Sequence, residues 1–470
     1  MTKRLTATLC LVLAFATACS SVAGIPNAVQ PESASVGGLE ITSGPSGPRP
    51  GAADSGRAVA NSDGGPIDRL AANAVADVEA FWAETFPNDF DVRFTPLRAL
   101  VSYDSRAAGP VVCDTDTQGF VNAFYCSRDD TAAWDRGALL PQLRSTFGEM
   151  SVVTVLAHEM GHAVQSRLGD RAGINQATPT IVREQQADCF TGAYYRHVAE
   201  GASPAFEVST GPGLNQVLAT LFAIRDAVGS TFDGQGAHGS AFDRVTAFQI
   251  GFTDGAVRCA DLDIAEVQDR STQTPFSAND QDVGRGLGNL RVEDPENLRL
   301  LVDSLENAFP DVRAPELTTD ANPCGARLTS AATLCPAENV IALDVGELAR
   351  IGTPPDAGEN GIGDFAAFAE VAAKWGLAAQ AQNGIDIDGP EAAWRTACLT
   401  GHWAASLTAR SGSPLELSPG DLDEAVAELL TERSTIAADN SGVSLRTGFG
   451  RVKAFRTGFT SGINRCMTGL

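Results

Sequence analysis

Between Val153 and Leu168 the chain reads VTVLAHEMGHAVQSRL, and apolar or small residues recur there at three- and four-residue steps: Val153, Leu156, Ala157, Met160, Gly161, Val164 and Leu168. That period predicts one helix, largely surrounded by apolar partners. The same pattern predicts helices over Val75 to Phe86, Ile181 to Val198, Leu214 to Val228 and Phe242 to Val257, while the Cys113 to Cys126 region reads as a hairpin or a pair of loops. Thr178-Pro179 marks the start of the Ile181 helix, with Thr as N-cap and Pro at the first helical position. The expected fold class is α+β, mainly helical with small sheets.

The N-terminus follows other rules. Lys3 and Arg4 precede a short apolar run, Leu5 to Ala18, which is too short and wrongly flanked for a spanning helix and reads as an export signal. Ala16-Thr17-Ala18-Cys19 resembles a bacterial lipobox with Ala in place of the usual first Leu, so residues 1–19 are expected to be a signal peptide ending in a lipidated Cys19, with plain secretion as the alternative. Residues 20–66 are rich in Ser, Gly, Pro and Ala without apolar periodicity, and are expected to be a flexible linker. No later stretch approaches 18 uninterrupted apolar residues. The expected location is extracytoplasmic, on the cell membrane through the lipid or free in the medium.

The remaining chain matches itself. Cys189-Phe190-Thr191-Gly192 is echoed by Cys398-Leu399-Thr400-Gly401, and Arg244-Val245-Thr246-Ala247-Phe248 through Arg258-Cys259 by Arg451-Val452-Lys453-Ala454-Phe455 through Arg465-Cys466. Phe86-Pro87 pairs with Phe309-Pro310, and Tyr125-Cys126 with Leu334-Cys335. The matches are collinear, which implies a tandem duplication of one domain. Paired cysteines are expected outside the cytoplasm, and a repeat should keep its pairing: Cys113 with Cys126, Cys189 with Cys259, Cys324 with Cys335, and Cys398 with Cys466.

Composition narrows the partners. A net charge of −24 repels polyanions, so nucleic acid is excluded as a partner, and so is polybasic attachment to anionic lipid. The chemistry sits in the predicted central helix. His158-Glu159-Met160-Gly161-His162 is an H-E-x-x-H set, whose two imidazoles leave one helix face a turn apart and can reach a single Zn2+ ion, with Glu159 beside them as proton acceptor. Two solvated histidines are the bland alternative, and the apolar neighbours speak against it. On the next helix Glu184 is the third ligand candidate, leaving a position open for water, and Asp188, one turn on, can hold the second ring N–H of a ligand histidine. The second copy has Ala373 and Leu377 opposite the histidines, and Ala393 and Ala397 opposite Glu184 and Asp188.

Phe124-Tyr125-Cys126, His158 to His162, Gln186-Ala187-Asp188-Cys189 and His238-Gly239 with Arg244-Val245 occur in that order, and over residues 67 to 262 the chain resembles the bacterial neutral zinc metallopeptidase family. One departure is Ala163, where family members often carry another His. The resemblance implies a zincin-like metallopeptidase domain over 67–270, acting on protein or peptide substrates, and the internal match implies that a degenerate repeat without metal ligands follows over 285–470. It also marks His238 as a candidate catalytic residue stabilising an oxyanion; an exposed histidine ahead of a helix is the equal alternative. A binding or interaction lipoprotein of the cell envelope, with vestigial or no peptidase activity, is the rival to the enzyme.

Overall fold

A computed structural model describes residues 31–468 apart from 176, 235, 272, 278–279, 281–287, 322–323, 326–327, 329, 356–360 and 409–410. The expected signal peptide, Cys19 and residues 20–30 of the expected linker lie outside the described residues. From residue 31 onward the linker expectation is corrected. Three short strands, β1 (Ser35–Val36), β2 (Leu39–Glu40) and β3 (Gly47–Pro48), lie along the body. The hydroxyls that suggested a solvated coil instead bond to the body: the Thr42 N–H donates to Thr210 Oγ1 at 2.8 Å, and Ser46 Oγ lies 3.2 Å from Ser209 Oγ. Arg49 Nε donates to Ser203 O at 2.8 Å. Polar groups dock this segment together with scattered apolar ones that show no periodicity, Val36 in the core and Leu39 and Ile41 packed against it.

Helix α1 (Pro66–Asp89) extends the predicted element at both ends and buries Leu70, Val75, Val78, Trp82 and Phe86. It is followed by β4 (Ala99–Tyr103), a hairpin of β5 (Val111–Val112) and β6 (Thr115–Asp116), then β7 (Ala123–Cys126) and β8 (Thr131–Asp135). The three-stranded sheet runs β4-β8-β7, with β4 parallel and β7 antiparallel to β8. Helices α2 (Leu139–Phe147), α3 (Glu149–Leu168) and α4 (Thr180–Ala199), strand β9 (Phe206–Glu207), which pairs with β3, and helices α5 (Pro212–Ala223), α6 (Ala241–Ala260) and α7 (Ile264–Arg270) complete the first half.

Two boundaries differ from expectation. Helix α4 begins a residue late, with Pro179 as N-cap and no side-chain cap, because Thr178 Oγ1 accepts from the Asn175 N–H instead. Helix α5 stops at Ala223, which frees the following loop to carry Asp226.

Helix α3 is buried nearly all round, which its apolar sequence requires. Helices α4 and α6 cross so closely that a Cβ on Gly192 would meet Phe248 O, and one on Gly251 would meet Cys189 O. The Cys189–Cys259 disulfide staples the same pair.

The second half comprises α8 (Pro295–Ala308), β10 (Glu316–Thr318), β11 (Ala332–Cys335), β12 (Val340–Leu343), α9 (Val345–Ile351), α10 (Asp364–Gln382), α11 (Pro390–Ser406), α12 (Asp421–Leu430), α13 (Gly448–Ser461) and α14 (Ile463–Met467). Its sheet runs β10-β12-β11, again with one parallel and one antiparallel neighbour to the central strand. The halves share one continuous apolar core. Gln249 Nε2 donates to Phe449 O at 2.8 Å, the Gly448 N–H donates to Asn215 Oδ1 at 2.9 Å, and the Phe242 and Phe459 rings lie 5.2 Å apart. The disulfides are Cys113–Cys126, Cys189–Cys259, Cys324–Cys335 and Cys398–Cys466, the pairing expected. No described helix is long and apolar enough to cross a membrane.

Candidate active site

Packing of α4 against α3 brings the candidate ligands together. A Cβ on Gly161 would stand 2.7 Å from the Ala187 Cα, so glycine in the H-E-x-x-H turn lets the two helices approach. Across that approach Glu184 Oε2 lies 3.0 Å from His158 Nε2 and 3.3 Å from His162 Nε2. Ligand atoms of His158, His162 and Glu184 all fall within 4.8 Å of one another. His158 and Glu184 are buried, while His162 is half-buried and opens onto solvent.

The orienting contacts fix the tautomers. Arg244 Nε and Nη2 each donate to Asp188 at 2.9 Å, in a buried bidentate pair. Asp188 is therefore a carboxylate that can only accept, and His158 Nδ1, 2.8 Å from its Oδ1, is the donor. Gln165 Nε2 donates to Arg183 O and Gln186 Oε1, which turns Gln165 Oε1 toward His162 Nδ1 at 3.1 Å. Both histidines thus direct Nε2 at Glu184 Oε2; without a metal the Nε2–H donates to that carboxylate, and with the proton gone the Nε2 lone pair would face an ion held there.

The electrostatics suit a cation. Burial opposes the charged form of His158, but the carboxylates of Asp188 and Glu184 outweigh it and push the imidazole up to about 10. Burial works against Glu184 in the same way, yet the two imidazoles hold its carboxyl well below the usual range. Burial pushes the Glu159 carboxyl up. A field that favours protons on two facing imidazoles also favours a divalent ion, and two nitrogens with one carboxylate oxygen match zinc.

Glu159 Oε2 accepts the Tyr125 N–H of β7 at 2.9 Å, which fixes the carboxylate beside the ligands. The site opens into a cleft of about 580 Å³, lined by Phe124, Tyr125, Glu159, His162, Glu184 and His238 among others. His238 stands at its rim, with Nε2 3.8 Å from Glu184 Oε2 and the side chain 45% exposed. Its Nδ1 lies 3.3 Å from Asp226 Oδ1, and Asp226 Oδ2 accepts the backbone N–H groups of His238 and Gly239 and Gln273 Nε2. Asp226 therefore shapes the whole rim segment. His197 packs on Phe81, and His402 Nε2 donates to Ala308 O, both away from the cleft.

Sequence reasoning missed Arg244, Gln165 and Asp226 as supporting groups. The signal for Arg244 was present: an arginine between Phe242, Val245, Ala247 and Phe248 on a buried helix needs an acidic partner.

Uncharacterized proteins of Mycobacterium tuberculosis (strain H37Rv) and Mycobacterium bovis are each 34% identical to this chain over 154 residues, covering 29% of the chain and 53% of the relative. The chain thus spans about half the length of the curated relatives it matches. No solved structure matches. Residues 33–262, the part of the chain that carries His158, Glu159, His162, Glu184 and His238, match the family model described as "Putative neutral zinc metallopeptidase".

Proposed function

We propose that the first half is an extracytoplasmic zinc-dependent metallopeptidase that hydrolyses peptide bonds in protein or peptide substrates. The observation that carries this is the convergence of His158 Nε2, His162 Nε2 and Glu184 Oε2, beside a fixed Glu159, at the floor of an open cleft. His158, His162 and Glu184 would hold zinc, which would supply a Lewis acid to polarise a carbonyl and acidify water. Glu159 takes the proton of the attacking water and passes it to the leaving amine; burial, which raises its proton affinity, suits both transfers. His238, whose Nδ1 donates to Asp226, turns Nε2 toward the site, and as an imidazolium it would donate from Nε2 to the developing oxyanion. Strand β7 is an edge strand lining the cleft, so an extended peptide can pair with its backbone.

The second half is a degenerate copy of the first, produced by tandem duplication. Support comes from the matching strand order and directions of the two sheets, and from the corresponding cysteine pairs. Ala373, Leu377, Ala393 and Ala397 are fully buried and offer no ligand atom. A lipid on Cys19 would place the protein on a membrane. Cys19→Ser should release it to the medium, and full retention would remove the anchor.

Glu159→Gln decides the catalytic reading. The variant should keep stoichiometric zinc and lose casein cleavage, because the acceptor is gone and the ligands remain. Cleavage at the wild-type rate would overturn the mechanism. Zinc at full occupancy in a wild-type protein that cleaves nothing would favour the rival, a binding lipoprotein of the cell envelope.

A further inference from the structure

Between α6 and α7 of the first half and α13 and α14 of the second lies a cavity of about 720 Å³, larger than the catalytic cleft and separate from it. It is the size of a small-molecule site. Arg270, Arg456 and Arg465 line it, in a protein whose net charge is −24. Arg270 is the unusual member. The residue is only 5% exposed, and its Nε, Nη1 and Nη2 all lack a hydrogen-bond partner among the described residues. A guanidinium out of water with five donors idle is costly, and native chains rarely leave one so.

The acids nearby do not resolve it. Asp243 bonds through Oδ2 to the Ser240 N–H and Ser271 Oγ, and forms no ion pair with Arg270. Glu266 is engaged by Arg258 at 2.6 Å. Burial consequently pulls the Arg270 guanidinium down from its usual range, only partly offset by Asp243 and Glu266. Burial, with the neighbouring Arg270 charge, pushes Arg456 down to about 10. Arg456 Nη1 donates to Thr246 O, which holds its head at the cavity wall.

We propose that this cavity binds a small molecule carrying a phosphate-type oxyanion. Arg270 supplies the planar fork that grips two oxygens at once, and Arg456 adds a second cation. Hydroxyls of Thr457 and Ser461 complete a polar wall, while Ile250 and Phe459 offer an apolar one to an organic remainder. Because both halves furnish residues, the occupant would bridge them. The catalytic reading of the cleft is not needed for this.

Calorimetric titration of the full-length protein with inorganic phosphate and with phenyl phosphate, against sodium chloride of equal ionic strength, tests the proposal. One saturable site is expected, tighter for phenyl phosphate if the organic wall is used and equal for the two if free phosphate is the natural occupant. Arg456→Gln should weaken binding severalfold. Arg270→Met should weaken it at least tenfold and, in phosphate-free buffer, raise the melting temperature, since it removes an uncompensated buried charge; a merely structural arginine would lower it. His162→Ala should leave phosphate affinity unchanged, which separates this cavity from the metal centre. Phosphate binding that survives Arg270→Met, that disappears in His162→Ala, or that does not exceed the chloride control overturns the proposal.

Discussion

Arg244 and Arg451 begin the matching Arg-Val segments of the two halves, and their guanidinium groups have different partners. Arg244 grips the Asp188 carboxylate, which in turn orients His158. Arg451 donates to the backbone carbonyls of Leu429, Leu445 and Thr431. The scaffold around them is held by the same devices. A Cβ on Gly401 would meet Phe455 O and one on Gly458 would meet Cys398 O, as Gly192 and Gly251 meet theirs. Asp344 caps α9 by accepting the Glu347 N–H, and Asp135 accepts the Gly137 and Leu139 N–H groups ahead of α2. Residues that packing requires are thus present in both halves, whereas the charged set is present in one. Such a set is kept or lost together, because each buried member leaves another uncompensated when it goes.

The contrast breaks most sharply at the ligand positions. His162→Ala should abolish stoichiometric zinc and lower peptide cleavage by roughly 10³-fold or more, as removal of a catalytic group does. Leu377→Ala, at the matching place, should leave zinc at one per chain and cost about 2–5 kcal/mol in denaturant unfolding. Two zinc ions per full-length chain by elemental analysis would end the distinction. Asp188→Asn should weaken zinc affinity by roughly 10 to 100-fold in competition with a chelator, and Ala397→Asn should not alter it. The shared packing is tested by Gly251→Ala and Gly458→Ala, each forcing a methyl onto a carbonyl; both should destabilise by roughly 1–3 kcal/mol, and a neutral result in one half would show that the crossings differ.

The smallest effect lies at Lys374, which stands where the sequence match places Glu159. It is buried beside Glu370, whose carboxyl burial and the Glu428 charge push up to about 7. A carboxyl raised in the folded state binds more protons there than in the unfolded chain between about pH 4.5 and 7, so it removes stability as pH rises through that window. Glu370→Gln should flatten the decline by on the order of 1–2 kcal/mol, read as melting temperature at pH 5 against pH 7.5. An unchanged slope would remove Glu370 from that role.

Much of this was legible in the sequence where a period or a fixed spacing carries it. Helix α3 begins four residues before the expected Val153 and ends at the expected Leu168; the spacing of His158 and His162 puts both on one face, Glu184 lies beside them, and Asp188 sits behind the His158 ring. Contacts made only in space were not legible. Arg244 reaches Asp188 across 56 residues, and although its apolar neighbours call for an acidic partner, nothing local says which acid it is. Asp226 lies in a segment whose apolar pattern looked like a continuing helix, and its bonds to His238 and Gly239 became visible only once α5 ended at Ala223. The failed linker has the same origin, since serine and threonine look identical in sequence whether they bond to water or to Ser209 and Thr210.

The docked strands of residues 31–65 also set a radius of action. Glu32 pairs with Lys453 at 2.9 Å, so the chain is fastened to the second half almost where the described residues begin. On the lipid-anchor proposal, only residues 20–30 separate Cys19 from the described body, in place of the whole stretch to 66. No chain of that length reaches further than roughly 40 Å at about 3.3–3.6 Å per residue, comparable to the thickness of a bilayer with its headgroups. On the anchor and peptidase proposals taken together, the cleft would meet only substrates that come within that distance of the membrane, such as neighbouring envelope proteins or chains still emerging from the bilayer.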